Sequence, residues 1–104
     1  MDSELSSRQR KFLRGMAHAY KPLVHVGREG LSTGLLAELD RALSEHELVK
    51  VRYQEAPERE ERAALSAAVE ERLGCVEVGR TGHVAIFFRQ QPDPEKRKIH
   101  LLGR

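Results

Sequence analysis

The sequence predicts an α/β fold: a two-layer sandwich with helices packed on one face of a four-stranded mixed sheet. Three observations predict it. Apolar spacing switches repeatedly between the period of a helix and the alternation of a strand, in the order α, then β-α-β-α-β-β. Two of the connections are β-α-β crossovers, whose right-handedness places the second and third helices on the same sheet face. The 104 residues suit one domain, spanning 1–104, that buries roughly 65% of its unfolded surface around one modest core.

Ser6 or Ser7 can cap a first helix that runs to about Ala19, with Leu5, Phe12, Leu13 and Met16 on its inner stripe. Arg8, Arg10, Lys11 and Arg14 fall largely outside that stripe. Lys21-Pro22 leads into the short strand Leu23-Val24-His25-Val26, with the proline where a strand begins and no ladder donor is needed. Gly27-Arg28-Glu29-Gly30 then turns the chain into a second helix. Ser32 is its N-cap, Leu31 and Leu36 stand at the spacing of a hydrophobic staple, and Leu35, Leu36, Leu39, Ala42 and Leu43 draw one apolar face to about His46.

Leu48 to Tyr53 alternates, with Val49, Val51 and Tyr53 on one side and Leu48, Lys50 and Arg52 on the other. This is the pattern of a strand covered on one face, with Lys50 and Arg52 open to solvent. Pro57 suits the first turn of a third helix and Gly74 its end, with Ala64, Leu65, Ala68, Val69 and Leu73 as the buried stripe. Glu58, Glu60, Glu61, Glu70 and Glu71 make that helix acidic. A hairpin follows, from Cys75–Val78 through a turn at Gly79-Arg80-Thr81-Gly82 into His83–Arg89, whose apolar run Val84-Ala85-Ile86-Phe87-Phe88 reads as a central strand. The tail, residues 92–104, is expected to dock loosely through Ile99 and Leu101.

Net charge is only +2, yet residues 1–30 carry +3, residues 31–79 carry −5 and residues 80–104 carry +4. If the two ends meet in space, the molecule has a basic side that attracts polyanions and an acidic side that does not. No apolar run approaches the roughly 20 residues of a membrane helix, and Met1-Asp2-Ser3-Glu4 leads into charge, so a cytoplasmic protein without membrane contact is expected. The lone Cys75 has no partner in the sequence for a disulfide or a zinc knuckle and reads as a small buried residue.

Enzymatic readings fail on the inventory of motifs. The sequence holds no GxSxG, HExxH, GxxxxGK[ST] or GxGxxG, and Gly30 is followed by Leu31 where a nucleotide-hydrolysing loop needs lysine and a hydroxyl. His18, His25, His46, His83 and His100 are scattered without i, i+4 pairing, so no metal or other cofactor is implied. Phosphate binding fits better. Gly27 to Gly30 is a GxxG turn between strand and helix, where backbone amides can approach a phosphate with only hydrogen at two Cα positions. Lys21 and Arg28 add positive charge there, while Glu29 opposes it. Aromatic residues are few, and Phe87 and Phe88 must point to opposite faces, so contact is expected through backbone and duplex shape, with Tyr20 and Tyr53 as the available stackers.

The chain resembles the CRM domain family (chloroplast RNA splicing and ribosome maturation) in the single-domain bacterial form typified by YhbY. The resemblance lies in Leu5-Ser6-Ser7-Arg8-Gln9 with Leu13-Arg14-Gly15 and Ala17-His18, Lys21-Pro22 with Val26-Gly27-Arg28-Glu29-Gly30-Leu31, Glu47-Leu48-Val49-Lys50-Val51-Arg52, Gly79-Arg80-Thr81-Gly82 and Lys96-Arg97-Lys98-Ile99. It implies a fold like the C-terminal domain of translation initiation factor three, with sheet order 1-2-4-3 and strand four antiparallel to the rest. It also implies RNA binding through the GxxG loop and adjacent basic surface, and association with ribosomal RNA in precursors of the large subunit; with the enzymatic motifs missing, a non-catalytic protein is expected, acting as a monomer. The RNA-binding set carried over is Gly27, Arg28, Glu29, Gly30 and Lys21, with Arg8, Lys11 and Arg14 on the first helix and Lys50 and Arg52 on the sheet. Glu29 departs from the family pattern, which more often has a neutral or basic residue there. The alternative reading is a protein-interaction module that docks its acidic third helix on a basic ribosomal or assembly partner.

Overall fold

The computed structural model describes residues 5–101 and 103. The elements are α1 (Ser7–Ala17), β1 (Val24–Val26), α2 (Thr33–His46), β2 (Leu48–Tyr53), α3 (Arg59–Leu73), β3 (Val76–Thr81) and β4 (Val84–Phe88), followed by a 3-10 turn at Pro94–Lys96. Local chemistry starts the helices where the sequence places them. Ser6 Oγ accepts from the Gln9 amide at 3.1 Å while Gln9 Oε1 accepts from the Ser6 amide at 3.0 Å, a reciprocal cap on α1. Ser32 Oγ accepts from the Leu35 amide at the head of α2. At α3 the sequence reading starts the helix slightly early: the chain becomes helical at Arg59, with the Glu58 amide donating to Glu61 Oε1.

The strands lie in the order β1-β2-β4-β3, with β1 parallel to β2 and β4 antiparallel to both of its neighbours. This is the mixed sheet expected from the sequence. Val24, Val26, Val49, Val51, Tyr53, Ala85 and Phe87 point to one face and are buried with Leu39 and Leu43 of α2 and Val69 of α3. Phe88, one residue on from Phe87, points the other way.

That second face is not left open. Leu48 and Phe88 are register partners, and their side chains form an apolar patch that Leu13 and Ala17 of α1 and Ile99 of the tail cover. The expectation that β2 is covered on one face only is corrected here, because Leu48 is just 1% exposed. Cover is partial: Lys50 is half-buried and Arg52 exposed. On α1 the inner stripe falls on Leu13 and Ala17, and Phe12 is 43% exposed.

The hairpin also differs from the sequence reading. Gly79, Arg80 and Thr81 belong to β3, and the turn is Gly82-His83, with Gly82 at φ +59°. A bulge between Glu77 and Gly79 shifts the register against β4. Gly79 serves close packing there: a Cβ at this position would lie 2.7 Å from Cδ of Arg14.

Two polar groups that the apolar pattern did not single out hold the layers together. Ser66, buried on α3, accepts from the Tyr53 hydroxyl at 2.8 Å and donates to Glu77 Oε2 at 2.6 Å. Arg80 completes the chain with both Glu77 oxygens at 2.9 Å. Glu47, buried between α2 and β2, has φ +66° and accepts from the amides of Gln91, Lys98 and Ile99. Burial opposes ionisation of this carboxyl, but those three donors and the nearby Arg97 outweigh it and hold its pKa below the ordinary value. The segment expected to dock loosely is thus pinned at Lys98 and Ile99; the expectations for Leu102 and Arg104 lie outside the described residues.

Candidate functional site

Between α1 and the incompletely covered sheet face runs a groove of about 540 Å³, floored by Val84 and Ile86. Arg14 and His18 come to it from α1 and the turn that follows, Lys50 and Arg52 from β2, and Thr81 from β3. The alternation of β2 explains the pairing of the last two cations. Residues two apart share a face, and on this face Leu48 is covered while Lys50 and Arg52 extend past the cover. Among the described residues no Asp or Glu lines the groove.

Two of the groove's cations, Arg14 and Lys50, are held in place. Arg14 Nη1 donates to the Val78 carbonyl at 3.0 Å and Arg10 Nη1 to the Glu77 carbonyl at 3.0 Å, so both guanidiniums fasten α1 to the bulge of the edge strand β3. Each bond uses one of the five N–H donors of an arginine. Lys50 Nζ donates to the Tyr20 carbonyl at 3.0 Å, which fixes the ammonium at the lip of the groove. Such tethering lowers the ordering cost of gripping an anion.

The remaining sequence-predicted residues fall into three places. Lys21 lines a neighbouring cleft together with Lys50 and with Lys98 of the tail, so the basic N-terminal and C-terminal segments do converge. Arg8 and Lys11 are exposed on the outer side of α1, away from the groove lining. The GxxG turn stands at the ends of the strands: Val26 is paired with Tyr53, one residue beyond Arg52. Gly27, Arg28 and Gly30 border a depression whose other wall includes Glu55 and Glu61, and Glu29 is exposed. The turn therefore flanks the basic groove and does not line it.

Within the turn the Gly30 amide donates to the Gly27 carbonyl at 3.0 Å, and the Ser32 amide donates to the Gly30 carbonyl at 3.0 Å. The two glycines differ. Gly30 sits at φ +67°, a conformation that disfavours any side chain, whereas Gly27 has no positive φ and nothing within 4 Å of a built Cβ. The fold requires glycine at 30 and not at 27. Just beyond, Thr33 and Gly34 begin α2, where helix geometry leaves amides without an intrahelical acceptor.

Sequence reasoning missed His18 and Lys98. His18 follows Arg14 by four residues, so helical spacing carried a signal for it. No local pattern points Lys98 toward Lys21; that meeting depends on the tail being tied to Glu47. Tyr53, read as an available stacker, is fully buried, and burial pushes its phenol up to about 12. Part of the C-terminal basic charge is engaged elsewhere: Arg80 with Glu77, and Arg89 with Asp40, the Leu73 carbonyl and Ser44.

Nucleophilic chemistry finds little to work with. Cys75 is buried as expected, and burial pushes its thiol up to about 12, far from the thiolate a nucleophile needs. All five histidines are exposed and, among the described residues, no cluster of three metal-ligating side chains occurs. No helix of the described residues is long and apolar enough to cross a membrane. What the groove can do chemically is hold phosphates.

Comparison with known proteins places the chain in a family. Residues 5–89 match the CRS1/YhbY (CRM) domain family. An "RNA-binding protein" of Haemophilus influenzae is 37% identical over 97 residues, covering 93% of this chain and 94% of its own. A "Probable RNA-binding protein" of Pseudomonas aeruginosa is 38% identical over 92 residues, covering 88% of each chain. The solution structure of a hypothetical protein from Staphylococcus aureus shares the fold with a TM-score of 0.80 at 22% identity, over 94% of this chain and 99% of that one.

Proposed function

The chain belongs to the CRS1/YhbY (CRM) domain family, and from that premise we propose that it is a non-catalytic RNA-binding protein that grips the backbone of structured ribosomal RNA in precursors of the large ribosomal subunit. The observation that carries the RNA reading is the groove in which Arg14, His18, Lys50 and Arg52 meet with no opposing carboxylate among the described residues. Phosphates lie along it, held by cations of which Arg14 and Lys50 are tethered, while amides of the Gly27–Gly30 turn other than that of Gly30, with those at the head of α2, take a further phosphate at the end of the sheet. Lys21 continues the track beside β1, and Arg8 and Lys11 offer charge to the flanking strand. Glu29 points a carboxylate at solvent next to Arg28 and weakens the turn relative to the groove. The relatives' names support RNA as ligand; the ribosomal assignment follows from the family resemblance, and the proposal takes the protein to act as a monomer in the cytoplasm.

Sedimentation of a lysate through a gradient, followed by crosslink mapping, tests this. The protein is expected with large-subunit precursors, with crosslinks from RNA to Lys50 and Arg52. A competing reading gives α3 the role of docking a basic protein through exposed Glu58, Glu60 and Glu61. Arg59 and Arg62 interrupt that acidic run, which disfavours it. Reversal of the three glutamates to lysine leaves particle association intact on the RNA reading and abolishes it on the docking reading.

A further inference from the structure

The cleft beside the groove has a different character. Its walls are Met16, Tyr20, Leu23 and Leu48, its volume is about 400 Å³, and among the described residues no Asp or Glu lines it. That size lies within the roughly 300–1,000 Å³ of clefts that take small molecules. Among the described residues the large apolar side chains with substantial exposure are Phe12, Tyr20 and Leu23, and two of these three stand together here, at 38% and 51%. Their exposure is built in and does not come from a loose loop. The Leu23 amide donates to the Lys50 carbonyl at 3.0 Å, and the Tyr20 carbonyl accepts from Lys50 Nζ, so the backbone on both sides is fixed to β2.

Cations surround this apolar surface. Lys21, Lys50 and Lys98 approach it from three separate segments, and Lys50 also borders the phosphate groove. An occupant must therefore present a flat apolar body between anionic groups, continuous with whatever lies in the groove. We propose that the cleft receives an unpaired nucleobase of the bound RNA, packed against Tyr20, Met16 and Leu23, with the phosphates on either side held by Lys21, Lys50 and Lys98. The proposal rests on the RNA reading above and adds to it a preference for RNA that can turn a base out of its stack. Because the walls are mainly apolar, recognition is by stacking and tolerates any base.

Fluorescence anisotropy with two probes of equal length, a single-stranded oligouridylate and an abasic ribose-phosphate oligomer, isolates the base from the backbone. The native protein is expected to bind the oligouridylate about ten-fold tighter than the abasic oligomer. Leu23→Ser removes most of that preference and leaves affinity for the abasic oligomer unchanged; with a side chain this exposed, the fold tolerates the change. In methyl NMR spectra the Leu23 signals shift with oligouridylate and not with the abasic oligomer. Equal binding of both probes, or a preference that survives Leu23→Ser, overturns the cleft assignment while leaving the phosphate groove standing. Binding of neither probe overturns the cleft assignment, and failure to bind a structured ribosomal RNA fragment in the same assay overturns the RNA reading itself. A response of the Leu23 methyls to an acidic aromatic peptide but not to oligouridylate overturns the assignment in favour of a protein partner.

Discussion

Gly27→Ala and Gly30→Ala separate what the GxxG turn does for the fold from what it does for a ligand. At Gly30, φ +67° places a new Cβ in the left-handed region, at a cost of about 1–2 kcal/mol. For a domain of this size that lowers Tm by several degrees. At Gly27 there is no positive φ, and a built Cβ meets nothing within 4 Å. Alanine there is expected to be neutral or to stabilise by about 0.4–1 kcal/mol through a less flexible unfolded chain. RNA sees the opposite ranking of importance. A methyl on the face where amides meet a phosphate pushes the anion away and removes a charge-assisted hydrogen bond of about 1.5–3 kcal/mol, so Gly27→Ala is expected to bind RNA at least roughly ten-fold more weakly. Urea titration and anisotropy on the same samples measure both quantities. Gly27→Ala that binds RNA like the native protein removes the turn from the interface, and Gly27→Ala that loses stability contradicts the account of its geometry.

Other substitutions probe the scaffold. Glu47 is held ionised by three amides, so its contribution is complete above the unfolded carboxyl pKa near 4.5 and is lost as pH falls through the lower folded value. A Tm series against pH is expected to show that acid-dependent component in the native protein and not in Glu47→Gln. Ser66→Ala leaves the buried Tyr53 hydroxyl and one face of Glu77 without their partner; a loss of about 1–3 kcal/mol is expected in urea unfolding. Gly79→Ala forces Arg14 away from the bulge, because its Cδ stands 2.7 Å from the new Cβ. Weakened RNA binding with only a modest fall in Tm is the expected outcome, and anisotropy beside a thermal melt checks it.

Much of this architecture was legible from local pattern. The cap at Ser32, the alternation from Leu48 to Tyr53 and the opposed Phe87 and Phe88 each carry enough local signal to assign an element or its inner side. The misreadings on the α1 face share one physical origin, which is long-range packing. Leu48 shares its face with Lys50 and Arg52, and nothing nearby in sequence shows that α1 and Ile99 cover the first and spare the others. Gly79-Arg80-Thr81-Gly82 has turn composition, yet the first glycine answers to Arg14, 65 positions earlier. Glu47 looks like an ordinary surface acid because its three donors come from the tail, more than 40 residues away. For the site, cationic residue types pointed to a polyanion. Which cations share a groove depended on the same packing: it unites Arg14 with Lys50 and Arg52, leaves Arg8 and Lys11 outside, and sets the GxxG turn beside Glu55 and Glu61.

The central claim is that Lys50 and Arg52 neutralise phosphates of bound RNA. Each phosphate contact on a single strand contributes about −0.7 to the slope of log affinity against log salt. Arg52 is exposed and Lys50 gives up one bond to the Tyr20 carbonyl, so replacing both by alanine leaves the fold intact. A filter-binding titration of this double variant is predicted to show a slope about 1.4 shallower than that of the native protein. An unchanged slope, with RNA still bound, would contradict the groove as the seat of binding.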